Sequence, residues 1–161
     1  MARGSSRALG RHEFRMTLRF TRISYEGLNS RQQEGFNFQK VSAVLADYGF
    51  TTIRLTSDWN GADFIAQHSD GVTFLKIQLK GRCAFSKDYR GKDLHICFPD
   101  GAQWYLYPHD EVLKQVERDI ANTVSWKDRG GYSYPKLSKK LRQVLQPYRL
   151  VAEEARGVPS A

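Results

Sequence analysis

Long apolar runs are missing from this chain. No stretch approaches the ~18 to 20 apolar residues needed to span a bilayer. Nor is there an apolar signal-peptide core near the start, so the sequence predicts a cytoplasmic protein with no membrane partner. Cysteine is scarce too. Cys83 and Cys97 stand 14 positions apart, outside any CxxC pair, and no structural disulfide is expected in a reducing compartment. A thiolate zinc site needs about four clustered ligands, but His12, His68, His95 and His109 are scattered. Both cysteines therefore read as core filler. Acidic charge is also short: 17 Asp and Glu face 25 Lys and Arg, leaving a net charge of +8 and a pI near 9.6.

At 161 residues, 40% apolar and 26% charged, the chain has the composition and length of one soluble domain. Six arginines against Glu13 give residues 1–22 a charge of +5, most of the total excess. Such an arm fits a polyanion partner, and fits equally a solvated leader that keeps the protein soluble. Gly and Ser among the first 12 residues argue for disorder there. Residues 14–24 alternate loosely and suggest an edge strand. With no internal repeat or dividing linker, the organisation expected is a basic arm over 1–22, one domain over 23–150 and a flexible tail over 151–161.

The pattern predicts a helix over 31–48, capped by Ser30 with Gln33 in a capping box and ended by Gly49. Phe38, Val41, Leu45 and Tyr48 share a stripe, and Glu34 falls on it one turn earlier. A strand at 51–55 and a loop at 56–61 follow. Then comes a hairpin, 62–67 and 72–80 about a turn at 68–71, and two more strands at 94–98 and 103–108. Helices at 111–121 and 135–146, the last opened by Pro135, complete the order. Helices at both ends of a run of strands predict an α/β domain of the α+β kind, with a central mixed sheet flanked by helices.

Alternation along 74–80 puts Lys76, Gln78 and Lys80 on one face and Leu75, Ile77 and Leu79 on the other. Water alone accounts for such a polar face. The partner strand adds more: a four-residue turn pairs Gln67 with Val72 and sets Asp63 opposite Lys76, diagonal to Gln78. A carboxylate, an amide oxygen and an ammonium then converge, with Glu34 in reach if the first helix packs beside them. A carboxylate on an apolar stripe is costly unless paired or bound to a cation. Oxygen ligands beside a lysine suit hard-cation phosphodiester hydrolysis.

Gly61-Ala62-Asp63 followed by Gln78-Leu79-Lys80 resembles the PD-(D/E)xK nuclease superfamily, and most closely its Holliday junction resolvase-like and restriction endonuclease-like members. The resemblance covers residues 30–82, with Glu34 and Gly49-Phe50 at matching places. It implies a restriction endonuclease-like core and a Mg²⁺- or Mn²⁺-dependent endonuclease acting on DNA, with RNA left open. It also implies Asp63 and Gln78 as metal ligands with the Leu79 backbone carbonyl, Lys80 as the water-activating residue, and Glu34 as a supporting carboxylate. A homodimer is common in that superfamily. The departure is Gln78, where most members carry Glu or Asp.

Arg82, Lys87, Arg90 and Lys92 form a basic loop after the motif strand which, with Lys76, is a candidate phosphate contact or an ordinary solvated surface. Trp126, Tyr132 and Tyr134 either stack on bases or cover a core edge. Lys136, Lys139, Lys140 and Arg142 line the exposed side of the last helix. Three functions stand open: the endonuclease; a catalytically weak or inactive nucleic-acid-binding protein with the same fold; and a structural or interaction protein.

Overall fold

A computed structural model of the chain describes residues 20–151. The arginine-rich arm through residue 19, the tail from residue 152 and most of the edge strand expected over 14–24 lie outside the described residues. Residues 20–24 are not a strand; they lead into a 3-10 turn at Tyr25–Gly27.

Helix α1 (Ser30–Asp47) is capped one residue earlier than expected. Asn29 Oδ1 accepts from Gln32 N at 3.0 Å, and Gln32 Oε1 accepts from Asn29 N at 3.0 Å. The Asn carboxamide serves as a Ser hydroxyl would, and its partner three residues on moves with it. Gly49, with φ +79°, ends the helix as predicted. Val41 and Leu45 are buried and Phe38 packs beside them, whereas Tyr48 is exposed. Asn37 takes an inward place, its Nδ2 donating to Tyr25 Oη at 2.9 Å.

Strand β1 (Phe50–Trp59) absorbs the loop expected at 56–61. Asn60 (φ 56°) and Gly61 (φ 90°) make a two-residue turn that sets Trp59 opposite Ala62, the first residue of β2 (Ala62–His68). Asn-Gly adopts two positive φ values at little cost, and that turn matches strand twist. Gly61 is also needed for space, since a Cβ there would meet Leu94 Cδ1 at 3.0 Å.

The turn into β3 (Phe74–Leu79) is longer than expected. His68 N donates to Thr73 O at 2.9 Å. The Asp70 carboxylate accepts from Val72 N at 2.9 Å, Thr73 N at 2.8 Å and Thr73 Oγ1 at 2.6 Å. Gln67 consequently faces Phe74 rather than Val72, and Phe64 faces Ile77. The register moves by two, an even number, so every side chain keeps its predicted face.

Strand β4 (Ala84–Ser86) precedes β5 (Leu94–Asp100), which runs parallel to β3. A hairpin joins β5 to β6 (Gln103–Pro108). Helix α2 (His109–Ile120) starts two residues before the expected 111, directly after β6. Next come α3 (Val124–Arg129) and β7 (Gly131–Ser133), then α4 (Lys139–Leu145) and β8 (Arg149–Leu150). The last helix is shorter than 135–146 because Ser138 caps it, its Oγ accepting from Leu141 N at 3.2 Å. Tyr134 is still bound to the extended chain through its N–H on Cys83 O at 2.9 Å.

The result is a mixed six-stranded sheet of order β1-β2-β3-β5-β6-β8 flanked by helices, with a separate β4–β7 ribbon. Helix α1 covers one face through Val41, Leu45, Phe64, Ile77 and Cys97. Helices α2 and α4 and the ribbon build a second core around Tyr107, Phe85 and Phe98, which includes Cys83 and Trp126. Both cysteines are buried free thiols in separate cores, and burial pushes the Cys83 thiol up to about 12. Among the described residues no helix is long and apolar enough to cross a membrane.

Candidate functional site

The β2–β3 ladder stops at the Phe64–Ile77 pair. One step further the same register sets Asp63 opposite Gln78, and there the strands separate. On its other side β3 stays in the parallel ladder, with Gln78 beside Ile96, Leu79 beside Cys97, and Lys80 N donating to Cys97 O at 2.8 Å. On the open side the Leu79 N–H goes to Asp63 Oδ2 at 2.8 Å. The same oxygen accepts from Gln78 Nε2 at 2.5 Å, and that nitrogen lies 3.4 Å from Leu79 O. A carboxylate, a carboxamide and a backbone carbonyl thus meet in a notch between diverging strands.

The notch has the donor chemistry of a weak hard-cation site. Gln78 presents its NH₂ group to two oxygens, from Asp63 and from Leu79. A half-turn of the carboxamide exchanges nitrogen for oxygen. Three oxygens would then face one another, an arrangement that needs a cation between them. Mg²⁺ accepts such ligands and completes its shell with water and substrate phosphate. Only one of the three donors is charged. Among the described residues no three His, Cys, Asp or Glu side chains cluster to hold a metal.

Lys80 follows at once, on the face of Gln78, with its Nζ 5.6 Å from the centre of the Tyr89 ring. Glu34 comes to the rim, not the interior: half-exposed, it pairs with Arg54 at 2.5 Å, and Arg54 stacks over Phe38. The pairing accounts for a carboxylate on the apolar stripe without a metal. Glu34 nonetheless shares with Asp63 a groove of about 570 Å³, whose wall includes Arg31, Arg54 and Thr56. A smaller hollow of about 180 Å³ links Glu34 to Leu79 and Lys80.

The five residues expected to contact phosphate separate into groups. Lys76 turns away from the notch, its Nζ donating to Lys92 O at 2.5 Å and lying 3.7 Å from Asp93. Lys87 and Arg90 stack over the Trp126 ring, 5.5 and 5.7 Å from its centre, and Arg90 is ion-paired with Glu117. Arg82 is exposed on the wall of a groove of about 580 Å³ that Lys80 also lines. Trp126 is core, 3% exposed. Tyr132 and Tyr134 contact each other edge to face at 4.8 Å, with Tyr132 on the groove wall. Lys140 and Arg142 pair with Asp119 and Asp100 at 2.6 and 2.8 Å.

Arg31, Arg54, Tyr89 and Arg129 join these grooves without having been singled out in the sequence. Only tertiary packing brings them there. The nearest overlooked signal was Asn60-Gly61, whose tight turn delivers Asp63 to the start of β2.

No family model matches the chain, and no curated protein matches it. Among solved structures, it is similar to that of Hjc, a Holliday junction resolvase from the archaeal hyperthermophile Archaeoglobus fulgidus. The TM-score is 0.38 and the identity 20%, over 47% of this chain and 72% of that one. At so low a score the functional reading stands on the geometry of the notch alone.

Proposed function

We propose that this protein is a metal-dependent endonuclease that hydrolyses DNA phosphodiester bonds at the notch between β2 and β3. The observation that carries the reading is the meeting of Asp63, Gln78 and the Leu79 carbonyl at one point, with Lys80 one residue on. Asp63 supplies the charged ligand, while Gln78 and Leu79 supply neutral oxygens. A Mg²⁺ or Mn²⁺ ion held there supplies positive charge against the scissile phosphate and acidity to water. The Lys80 ammonium orients the attacking water or neutralises charge as it develops on phosphate. Glu34 holds Arg54 at the groove rim, keeping a guanidinium beside the backbone path. The reading includes a homodimer, in which two such sites address two strands.

The test is a cleavage assay with Mg²⁺ or Mn²⁺ against duplex, branched and single-stranded DNA and against RNA. Cutting of at least one DNA form is expected. Asp63→Ala and Lys80→Ala should each reduce it by at least ~100-fold with the far-UV spectrum unchanged. Full cleavage by both variants removes the assignment.

A second reading has its own support in the three donors that meet at the notch, of which Asp63 alone carries charge. The protein is then a nucleic-acid-binding module that keeps the fold and lacks catalysis. Under it, binding is salt-sensitive, the wild type cuts nothing, and Gln78→Glu creates metal-dependent cutting. Under the first reading the wild type already cuts.

A further inference from the structure

The groove beyond Lys80 is basic. Its wall carries Lys80, Arg82 and Arg129 and no carboxylate. Among the described residues neither Arg82 nor Arg129 has an acidic partner, whereas Arg54, Arg90, Lys140 and Arg142 are each neutralised in an ion pair. Unneutralised guanidinium groups around a concavity create a standing attraction for an anion. The same wall presents the rings of Tyr89 and Tyr132 over buried Phe85. Cations alone would suit any phosphate. Cations beside aromatic rings suit an anion that also carries flat faces.

Size narrows the ligand further. The groove offers about 580 Å³, within the range of about 300–1,000 Å³ that small-molecule-sized ligands fill. That is too small for a duplex and suited to one unstacked nucleotide. The backbone holds this wall firmly. Phe85 pairs with Tyr132 across the β4–β7 ribbon, and Lys87 N donates to Gly130 O at 2.7 Å. Lys80 lies on both this groove and the hollow that reaches Leu79 and Glu34, so the path runs into the notch.

We infer that the β4–β7 groove binds one unpaired nucleotide of a nucleic-acid strand, its base against Tyr132 and Tyr89 and its phosphate between Arg82 and Arg129. The inference rests on the endonuclease reading for what it delivers to Lys80, and it makes the preferred substrate a strand with an unpaired or flipped nucleotide beside the cut. Stacking supplies affinity without reading sequence. Extrusion from a fully paired duplex costs unstacking energy, so unpaired substrates are favoured.

Binding is measured on the full chain in EDTA, so that it does not depend on metal or cleavage. The probe is a short single strand with one 2-aminopurine, compared with the same strand in a duplex and with 2-aminopurine mononucleotide. Expected are fluorescence quenching with the single strand and weaker binding of the duplex. Tyr132→Leu should lose about 5- to 100-fold in affinity together with the quenching, and Tyr132→Phe should keep both. Arg129→Gln should lower the slope of log affinity against log salt by about 0.7. Equal binding of the single strand by wild type and Tyr132→Leu overturns the inference. So does tight mononucleotide binding with no preference for the strand, which would make the groove a free-nucleotide site. If the strand result holds while the wild type cuts nothing with metal, the groove stands and the endonuclease reading fails. If cutting is intact but indifferent to Tyr132→Leu and Arg129→Gln, the groove assignment fails alone.

Discussion

Asp63 Oδ2 accepts from both the Leu79 backbone N–H and Gln78 Nε2, so this one carboxylate has a structural duty besides any chemical one. Removing it leaves the Leu79 donor without a protein acceptor, at a cost of about 1 kcal/mol. Asp63→Asn keeps an oxygen for that donor and removes the charge. It is therefore expected to melt close to wild type while losing metal-dependent cutting, and Asp63→Ala to melt lower. A thermal melt of both variants beside the cleavage assay reads the two duties separately. Gln78→Glu works in the opposite direction. It sets a second carboxylate beside the first, so without metal the like charges destabilise the notch. Added Mg²⁺ should raise the melting temperature of Gln78→Glu by more than that of wild type, since a ligand stabilises in proportion to its affinity for the folded state. An equal rise would place the metal elsewhere.

A second residue-scale expectation concerns acid. His109 is fully buried; its Nδ1 lies 2.7 Å from Asp110 Oδ1, and its Nε2 accepts from Ser86 N at 3.2 Å. The neutral ring with the proton on Nδ1 satisfies both partners, while protonating Nε2 sets two donors face to face. Burial lowers the His109 pKa by more than the Asp110 hydrogen bond raises it. Burial also lowers that of His95, whose Nδ1 has no hydrogen-bond partner among the described residues. A pKa below its unfolded value means that the unfolded chain binds the extra proton first. The associated stability is complete above about pH 6.5 and is lost as pH falls from there through the folded values. Urea midpoints should drop between pH 7.5 and pH 5, with both rings titrating below pH 6.5 by NMR. Midpoints that are flat with pH would contradict this.

Among elements, the β2–β3 hairpin decides the site, and its turn decides the register. Asp70 holds Val72 and Thr73 through three hydrogen bonds that keep its carboxyl well below the usual carboxylate range. Asp70→Ala should loosen this turn and, with it, the Asp63–Gln78 pairing five residues inward. Faster amide exchange at Thr73 and Leu79, together with weaker cutting, is the expected result; unchanged exchange at Leu79 would mean that the ladder holds register without the turn. Alternation was enough to set Asp63 and Gln78 on one face, where they meet, because a slip of two preserves faces. The expected four-residue turn leaves no place for the three hydrogen bonds that Asp70 accepts from Val72 and Thr73, which lengthen it. Asn60-Gly61 is a strong hairpin signal, and it falls inside the segment expected as loop. The β4, β7 and β8 strands span three, three and two residues, too short for any period to register.

For the whole molecule, the mixed sheet with flanking helices was legible because hydrophobic stripes and strand alternation each require a covered face. The division of covering between α1 on one side and α2, α4 and the ribbon on the other was not, since it depends on the parallel crossover from β3 to β5. That crossover brings Tyr89 under Lys80 and sets the Lys92 end of the basic loop against Lys76. Charge partnering was equally hidden: no spacing in the sequence distinguishes Arg90, held by Glu117, from Arg82, which has no acidic partner among the described residues.

The most direct measurement is a Mn²⁺ titration followed by NMR, in wild type and Asp63→Asn. Paramagnetic broadening should appear first at the Gln78 side-chain amide and at the Leu79 and Lys80 amides, and should vanish in Asp63→Asn. Broadening that begins at other carboxylates, or that persists at Gln78 without the Asp63 charge, would contradict a cation held between those three oxygens.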